Sequence, residues 1–299
     1  MSWEQIKTEE INPRTREIDR LSTIDMVTLM NSEDKKVALA VERELDHIAQ
    51  AVDIIAAQMS GGGRLIYAGC GTSGRLGILD AAECPPTFST DPGQVVGLIG
   101  GGEKAIFTAV EGAEDSAALG RQDLERIGLN RQDVLVGIAA SGRTPYVIGA
   151  LTYAGEQGVP TISVSCSPKS PVTELADVSI TPTPGPEVIT GSTRLKSGTA
   201  QKMVLNMLST CSMIKLGKVY GNLMVDVKAS NEKLVHRCER IVCSAAGVDE
   251  DKAKQVLKQC GYRPKVAIVM IRCGVGAEEA IDLLNASGGR IVDAVAAKE

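Results

Sequence analysis

The chain has 299 residues, 43% of them hydrophobic and 23% charged, with 31 glycines and 12 prolines. These are the proportions of an ordinary globular protein, and they exclude collagen, coiled-coil rods and wholesale disorder. Lys and Arg number 32 against 37 Asp and Glu, a net charge of -5, so no basic excess points to nucleic acid or an anionic membrane. The length suits one large α/β domain with an appendage, or two modest domains.

Only two histidines are present, His47 and His236, and neither stands in HExxH or another ligand-spaced cluster. A histidine metal site or a His-centred hydrolytic triad has little to draw on, and no metal is expected. The eight cysteines (70, 84, 166, 211, 238, 243, 260 and 273) form no CxxC pair and read as reduced, small apolar packers. The lead MSWEQIKTEEINPRTREIDR lacks the apolar core of a signal peptide. Apolar runs such as 266–271 fall far below the roughly 20 residues of a membrane helix. A soluble, cytoplasmic protein is expected.

In chain order, 33–59 is helical by pattern. Val41, Leu45, Ile48, Val52, Ile55 and Met59 form one apolar stripe, to cover a sheet or to lend itself to a subunit interface. Gly61-Gly62-Gly63 stops it. Five short apolar runs follow at 64–69, 94–99, 133–139, 160–165 and 178–181, mostly continuous rather than alternating, as in strands buried on both faces. Helix-length stretches at 75–82, 103–127, 145–157 and 170–176 separate them. The alternation predicts a doubly wound α/β fold, a five-stranded parallel sheet with helices on both faces. A Pro/Gly/Thr-rich loop, TPTPGPEVITGSTR, then leads into a helix at 195–216 with a stripe of Val204, Met207, Leu208, Cys211 and Ile214. The remainder is helical and short-looped, which sets the boundaries at 1–230 for the sheet domain and 231–299 for a small helical subdomain. Within it, KVAIVMI (265–271) is β-branched enough for a strand, and periodicity does not decide.

In an open parallel sheet, ligands bind beyond the carboxyl ends of the strands where strand order reverses. For the order 2-1-3-4-5 that point lies between the first and third strands. After the first comes GCGTSGRLG (69–77), and after the third comes AASGRTPY (139–146). Gly74 and Gly142 allow close backbone approach. Helix N-termini attract anions, and Thr72, Ser73, Ser141 and Thr144 can donate to phosphate, with Arg75 and Arg143 beside them. Helix capping is the commonest use of such hydroxyls. Two such loops at one switch point favour a phosphate site.

Residues 69–74 also fit GxGxxG, the dinucleotide fingerprint. The ribose-binding acid should follow about 20 residues on, yet the second strand runs into Gly100-Gly101-Gly102 and Glu103 stands 29 residues after Gly74. Walker A fails because Arg75-Leu76 occupies its Lys-Ser/Thr position. In LDAAECPPT, Glu83 precedes Cys84-Pro85-Pro86, and the prolines should end the helix. EGAEDS holds Glu111, Glu114 and Asp115, which on their own read as a wet surface. Arg194, Lys196 and Lys202 lie near the start of the long helix, to meet an anion or to pair with acids.

Together these segments resemble the N-acetylmuramic acid 6-phosphate etherases of the sugar isomerase (SIS) superfamily. The resemblance runs through IDRLSTIDM (18–26), GCGTSGRLGILDAAECPPT (69–87), AVEGAEDS (109–116), IAASGRTPYVIGAL (138–151), GPEVITGSTRLKSGTAQKMVLNMLST (185–210) and KVYGNLMVDV (218–227). The stretch 185–202 is similar to a signature these etherases share with glucokinase regulatory protein. It implies the SIS fold and cleavage of the D-lactyl ether of N-acetylmuramic acid 6-phosphate to N-acetylglucosamine 6-phosphate and D-lactate, by elimination and water addition without cofactor. It also implies a homodimer, and places the acid/base glutamates at Glu83 and Glu114. A general acid–base carboxyl of this kind should have its pKa raised towards neutrality. A sugar-phosphate sensor without catalysis and a phosphosugar isomerase are the alternatives.

Overall fold

The structure is a computed structural model and describes residues 7–227, 229 and 231–298. It divides into two compact units. One holds the chain up to Ala82 with Gly93–Ser209, and the other holds Glu83–Pro92 with Thr210–Glu299. The division therefore falls near 209, where the sequence places a boundary at 230.

The first unit opens with short 3-10 turns and then α1 (Thr23–Glu42) and α2 (Leu45–Ser60). The single helix expected over 33–59 is thus two. The chain breaks at Arg43-Glu44, and the Glu44 carboxylate accepts from Thr181 N at 3.0 Å. Val41, Ile48, Val52, Ile55 and Met59 of the expected stripe are buried, while Leu45 is exposed. Helix α2 packs on the sheet.

The sheet consists of β1 (Leu65–Gly69), β2 (Val95–Ile99), β3 (Val134–Ile138), β4 (Thr161–Val164) and β5 (Val178–Ile180), each within one residue of its expected bounds. All are parallel, in the order β2-β1-β3-β4-β5. Every residue of β1, β3 and β4 is buried, which explains their continuously apolar sequences. At the amino ends of β1 and β3, buried Asp133 accepts from Arg64 N and from its guanidinium. Burial works against this carboxylate, but the Arg64 and Asn130 donors hold it below the usual range.

Helix α3 (Gly71–Phe88) follows β1 and contains Pro85 and Pro86. The prolines were expected to end the helix earlier. Their fixed φ is itself helical, and the missing donors fall in the last turn, which Ser89 N closes on Pro85 O at 3.0 Å. The expected helix over 103–127 is also interrupted. It becomes α4 (Lys104–Phe107) and α5 (Ala117–Arg126), with an irregular loop between them and Ser116 capping α5. Then come α6 (Pro145–Glu156), α7 (Pro171–Leu175) and α8 (Lys196–Lys215). The inward face of α8 carries Val204, Leu205, Leu208 and Met213; Cys211 and Ile214 of the expected stripe are exposed.

The second unit contains a hairpin, β6 (Val219–Tyr220) with β7 (Leu223–Met224). Five helices follow: α9 (Glu232–Ala246), α10 (Glu250–Gln259), α11 (Pro264–Cys273), α12 (Ala277–Ala286) and α13 (Ile291–Ala296). KVAIVMI is helical. Pro264 starts α11, Gly274 ends it in the left-handed region at φ 67°, and tertiary burial of Val266–Met270 overrides β-propensity. Their core also includes Val225, Cys238, Val242, Leu257 and Ala294.

Helices α5 and α6 cross where only glycine fits. A Cβ on Gly149 would overlap Ala117 O, and one on Gly120 would overlap Tyr146 O. Gly149→Ala is expected to cost about 1–3 kcal/mol of stability by overpacking. Urea denaturation measures it, and an unchanged midpoint would show that the helices can separate freely.

Candidate active site

Because β1 and β3 are neighbours and parallel, their carboxyl ends open side by side, with Gly69 in register with Ile138. The loop after β1 is almost nothing. Cys70 is followed at once by α3, so Thr72, Ser73, Gly74 and Arg75 lie in that helix's first turns. The helix presses on its strand: a Cβ on Gly74 would sit 2.6 Å from Gly69 O and 2.7 Å from Ile99 Cγ1. Glycine is required there by space. Ser73 and Gly74 are buried, while Thr72 and Arg75 are half-buried.

After β3, Gly142 takes φ 69° and packs directly on Ser170. Gly142 N donates to Ala139 O at 2.9 Å and Arg143 N donates to Ser141 Oγ at 3.3 Å. Ser141 thereby accepts from the backbone and keeps its hydroxyl proton for another partner. Thr144 stands at the N-cap of α6, but its side chain makes no cap bond. The capping reading thus fails for Thr144, and its half-buried hydroxyl is held at a helix N-terminus. Arg143 is half-buried.

Arg75 is oriented by its Nε, which donates to Ile106 O at 2.7 Å. That bond ties α3 to the α4 segment. The loop beyond it carries Glu114, which is exposed and whose carbonyl accepts from Tyr146 N at 3.0 Å. The Tyr146 hydroxyl in turn donates to Asp123 at 2.7 Å. Glu114 is thus suspended between α5 and α6, close to the end of β1. Burial pushes the Cys70 thiol up to about 12, and the Glu114 charge adds to that rise. Glu83 is exposed on α3, in the segment assigned to the second unit, whereas Glu114 belongs to the first.

The segment before α8 differs most from expectation. Arg194 is exposed. Lys196 is wholly buried, and its Nζ donates to Glu33 Oε2 at 2.9 Å and to Pro184 O at 3.1 Å. Of the two partners open to it from the sequence, an anion or an acid, Lys196 meets an acid, a carboxylate 163 residues away. Glu33 also accepts from Arg14 at 2.6 Å and Lys36 at 2.7 Å. Buried Glu187 accepts from Lys196 N and Ser197 N, both at 2.9 Å, so an internal carboxylate already occupies the N-terminus of α8. A cavity of about 450 Å³ adjoins this cluster, lined by Arg14, Glu33, Lys36, Arg43 and Lys196 among others. Neither Glu33 nor Glu187 was singled out from the sequence, since an acid awaiting a distant lysine looks like any wet acid. Helix α8 then meets the first loop: Ser73 Oγ donates to Gln201 Oε1 at 2.9 Å, and Gly198 packs on the Thr72 methyl.

Among the described residues, no group of three or more His, Cys, Asp or Glu converges as metal ligands do. No helix of the described residues is long and apolar enough to cross a membrane.

Three family models match the chain. The glucokinase regulatory protein N-terminal SIS domain matches residues 47–155, the SIS domain 120–210, and the C-terminal lid domain of glucokinase regulatory protein 221–285. The N-acetylmuramic acid 6-phosphate etherase of Aliivibrio salmonicida is 57% identical over 289 residues, covering 97% of this chain and 96% of its own. That of Caldanaerobacter subterraneus is 56% identical over 299 residues, covering 100% and 98%. A phosphoheptose isomerase structure from Neisseria gonorrhoeae shares the fold, with TM-score 0.51 at 19% identity, covering 64% of this chain and 98% of that one.

Burial alone would raise the Glu33 carboxyl, but hydrogen bonds and charge from Lys36 and Lys196 hold it at about 2, below its ordinary 4.5. Its contribution to stability is therefore present above pH 4.5 and is lost as pH falls towards 2. Glu33→Gln, which strands the Lys196 charge, is expected to cost about 3–5 kcal/mol at pH 7. In denaturation series the gap between wild type and variant should shrink between pH 4.5 and 2. A gap independent of pH would contradict the ion pair.

Proposed function

The chain belongs to the N-acetylmuramic acid 6-phosphate etherases, and on that premise we propose how its residues split the D-lactyl ether of this phosphosugar. The enzyme is a carbon–oxygen lyase. The observation that carries the residue assignment is the pair of glycine- and hydroxyl-bearing loops on adjacent strands, 69–77 and 139–146. Thr72, Ser73, Ser141 and Thr144 supply hydroxyls to the 6-phosphate, Gly74 and Gly142 allow the backbone close, and Arg75 and Arg143 add positive charge. Arg194, exposed just before α8, is the cation we assign to the lactate carboxylate, since Lys196 is engaged by Glu33.

An alkyl ether resists direct displacement, since alkoxide leaves poorly. Opening the sugar ring makes C1 an aldehyde and the C2 proton acidic. A base removes that proton, and the electron pair expels the C3 oxygen with lactate, which is protonated as it leaves. The resulting enal takes water at C3, and the proton returns to C2. One carboxyl can serve both halves, giving its proton to lactate and then taking one from water. We assign this cycle to Glu83 and a supporting base role to Glu114. Both are exposed in the single chain.

The phosphate reading is tested by Ser73→Ala and Ser141→Ala, each removing a donor to a charged acceptor, a loss of roughly 1.5–3 kcal/mol in binding. Equal turnover of the unphosphorylated sugar would remove the assignment.

We further take the enzyme to act in the cytoplasm as a homodimer, with residues of both chains at each site. Support comes from the outward apolar side chains of α1, where Ile24 and Val27 are 69% and 52% exposed. A fully active monomer in sedimentation at assay concentration overturns the dimer.

If elimination precedes hydration, oxygen-18 from water appears at C3 of N-acetylglucosamine 6-phosphate, and deuterium from heavy water at C2. Glu83→Gln keeps size and hydrogen bonding but cannot cycle a proton, and should lose about 10²–10⁴-fold in rate with its fold intact. Label in lactate would mean attack on the lactyl carbon instead, and would end the double role of Glu83.

A further inference from the structure

We propose that Gln201 is the positioning residue for the Ser73 hydroxyl, releasing its proton to the anion by a half-turn of the side-chain amide. The inference rests on the assignment of 69–77 as the phosphate loop. Gln201 lies near the start of α8 and is fully buried. Its Oε1 accepts from Ser73 Oγ at 2.9 Å. Its Nε2 is buried too, and has no hydrogen-bond partner among the described residues. Buried donors are ordinarily matched, so an orphaned one beside a binding loop needs a physical reason.

A serine hydroxyl has one proton to give. While that proton is directed at Gln201, Ser73 presents only lone pairs, which a phosphate oxygen repels. Turning the amide brings Nε2 to Ser73 Oγ as the donor. The hydroxyl proton is then free for phosphate, and a charge-assisted bond forms where a neutral one stood. The orphaned N–H is satisfied in the same motion. The oxygen that takes its place goes unpaired, which carbonyls tolerate better than N–H groups. The scaffold holds everything else still: Gly198 of α8 packs on Thr72 of α3, with only 3.3 Å between the Thr72 methyl and a Cβ built on the glycine. The moving part is the amide.

Gln201→Glu keeps the size and the acceptor but offers no N–H to Ser73. It is expected to raise both KM for the phosphosugar and the inhibition constant of inorganic phosphate about tenfold or more, with kcat changed by less than about threefold. Gln201→Ala should weaken phosphate as well, and in a Ser73→Ala background should add no more than about twofold, because it acts through Ser73. Circular dichroism and thermal melts report whether each variant folds; if Gln201→Glu does not, the alanine cycle decides alone. Effects of Gln201→Ala and Ser73→Ala that multiply would make Gln201 a packing residue and overturn the proposal. So would unchanged phosphate inhibition in Gln201→Glu beside weakened inhibition in Ser73→Ala. Unchanged inhibition in Ser73→Ala itself would remove the phosphate loop, and this inference with it.

Discussion

The pairing of β1 with β3 is the constraint on which the site depends. Parallel strands in register release their chains at the same edge of the sheet, and here that edge lies where strand order reverses. Two loops separated by some seventy residues of sequence are forced into one place. The sheet can enforce this because both of its faces are covered. A one-residue slip of β1 against β3 would turn its side chains to the opposite face and carry its loop out of step with the loop after β3.

A second layer of order comes from charges placed inside the protein. Glu187 holds the first turn of α8, and Lys196 in that turn is matched by Glu33 of α1. Burying ions costs desolvation that hydrophobic contacts do not, so such a cluster is weak evidence for added stability. Its geometric effect is plainer. It fixes the register of α8, and with it the position of Gln201 against Ser73, to the precision of hydrogen bonds. Within the signature-like stretch 185–202, Glu187, Lys196 and Ser197 are thereby accounted for as scaffold.

The fold was legible where the physics is local. Continuously apolar runs marked the five strands, and glycine with hydroxyl clusters marked both loops. What was not legible depends on distance in the sequence. Lys196 looks like an anion ligand until Glu33 is found beside it. The stretch 265–271 is β-branched and becomes a helix because Pro264, Gly274 and burial among other helices outweigh propensity. The loop at 108–116 breaks an otherwise helical pattern, because Thr108 is extended and Gly112 takes φ 73°. Of the candidate site, the hydroxyls of both loops could be proposed from the sequence. The buried amide of Gln201 could not, since an uncharged residue in a helical pattern carries no local mark.

The electrostatics around β1 also narrow which groups can move protons. Cys70 stands between the end of β1 and the start of α3, within the candidate phosphate loop, where a thiolate would be a strong nucleophile. Burial raises its thiol to about 12, and the charge of Glu114 reinforces the rise. At neutral pH it is therefore a neutral packing group, pressed so closely on Gly100 that a Cβ there would sit 2.5 Å from its sulfur. The buried Tyr146 phenol is likewise held protonated, by burial and then by Asp123, while its hydroxyl anchors α5, the helix that follows the Glu114 loop. With thiol and phenol both held in their neutral forms, neither offers a base at neutral pH, which supports the carboxylate roles proposed for Glu83 and Glu114.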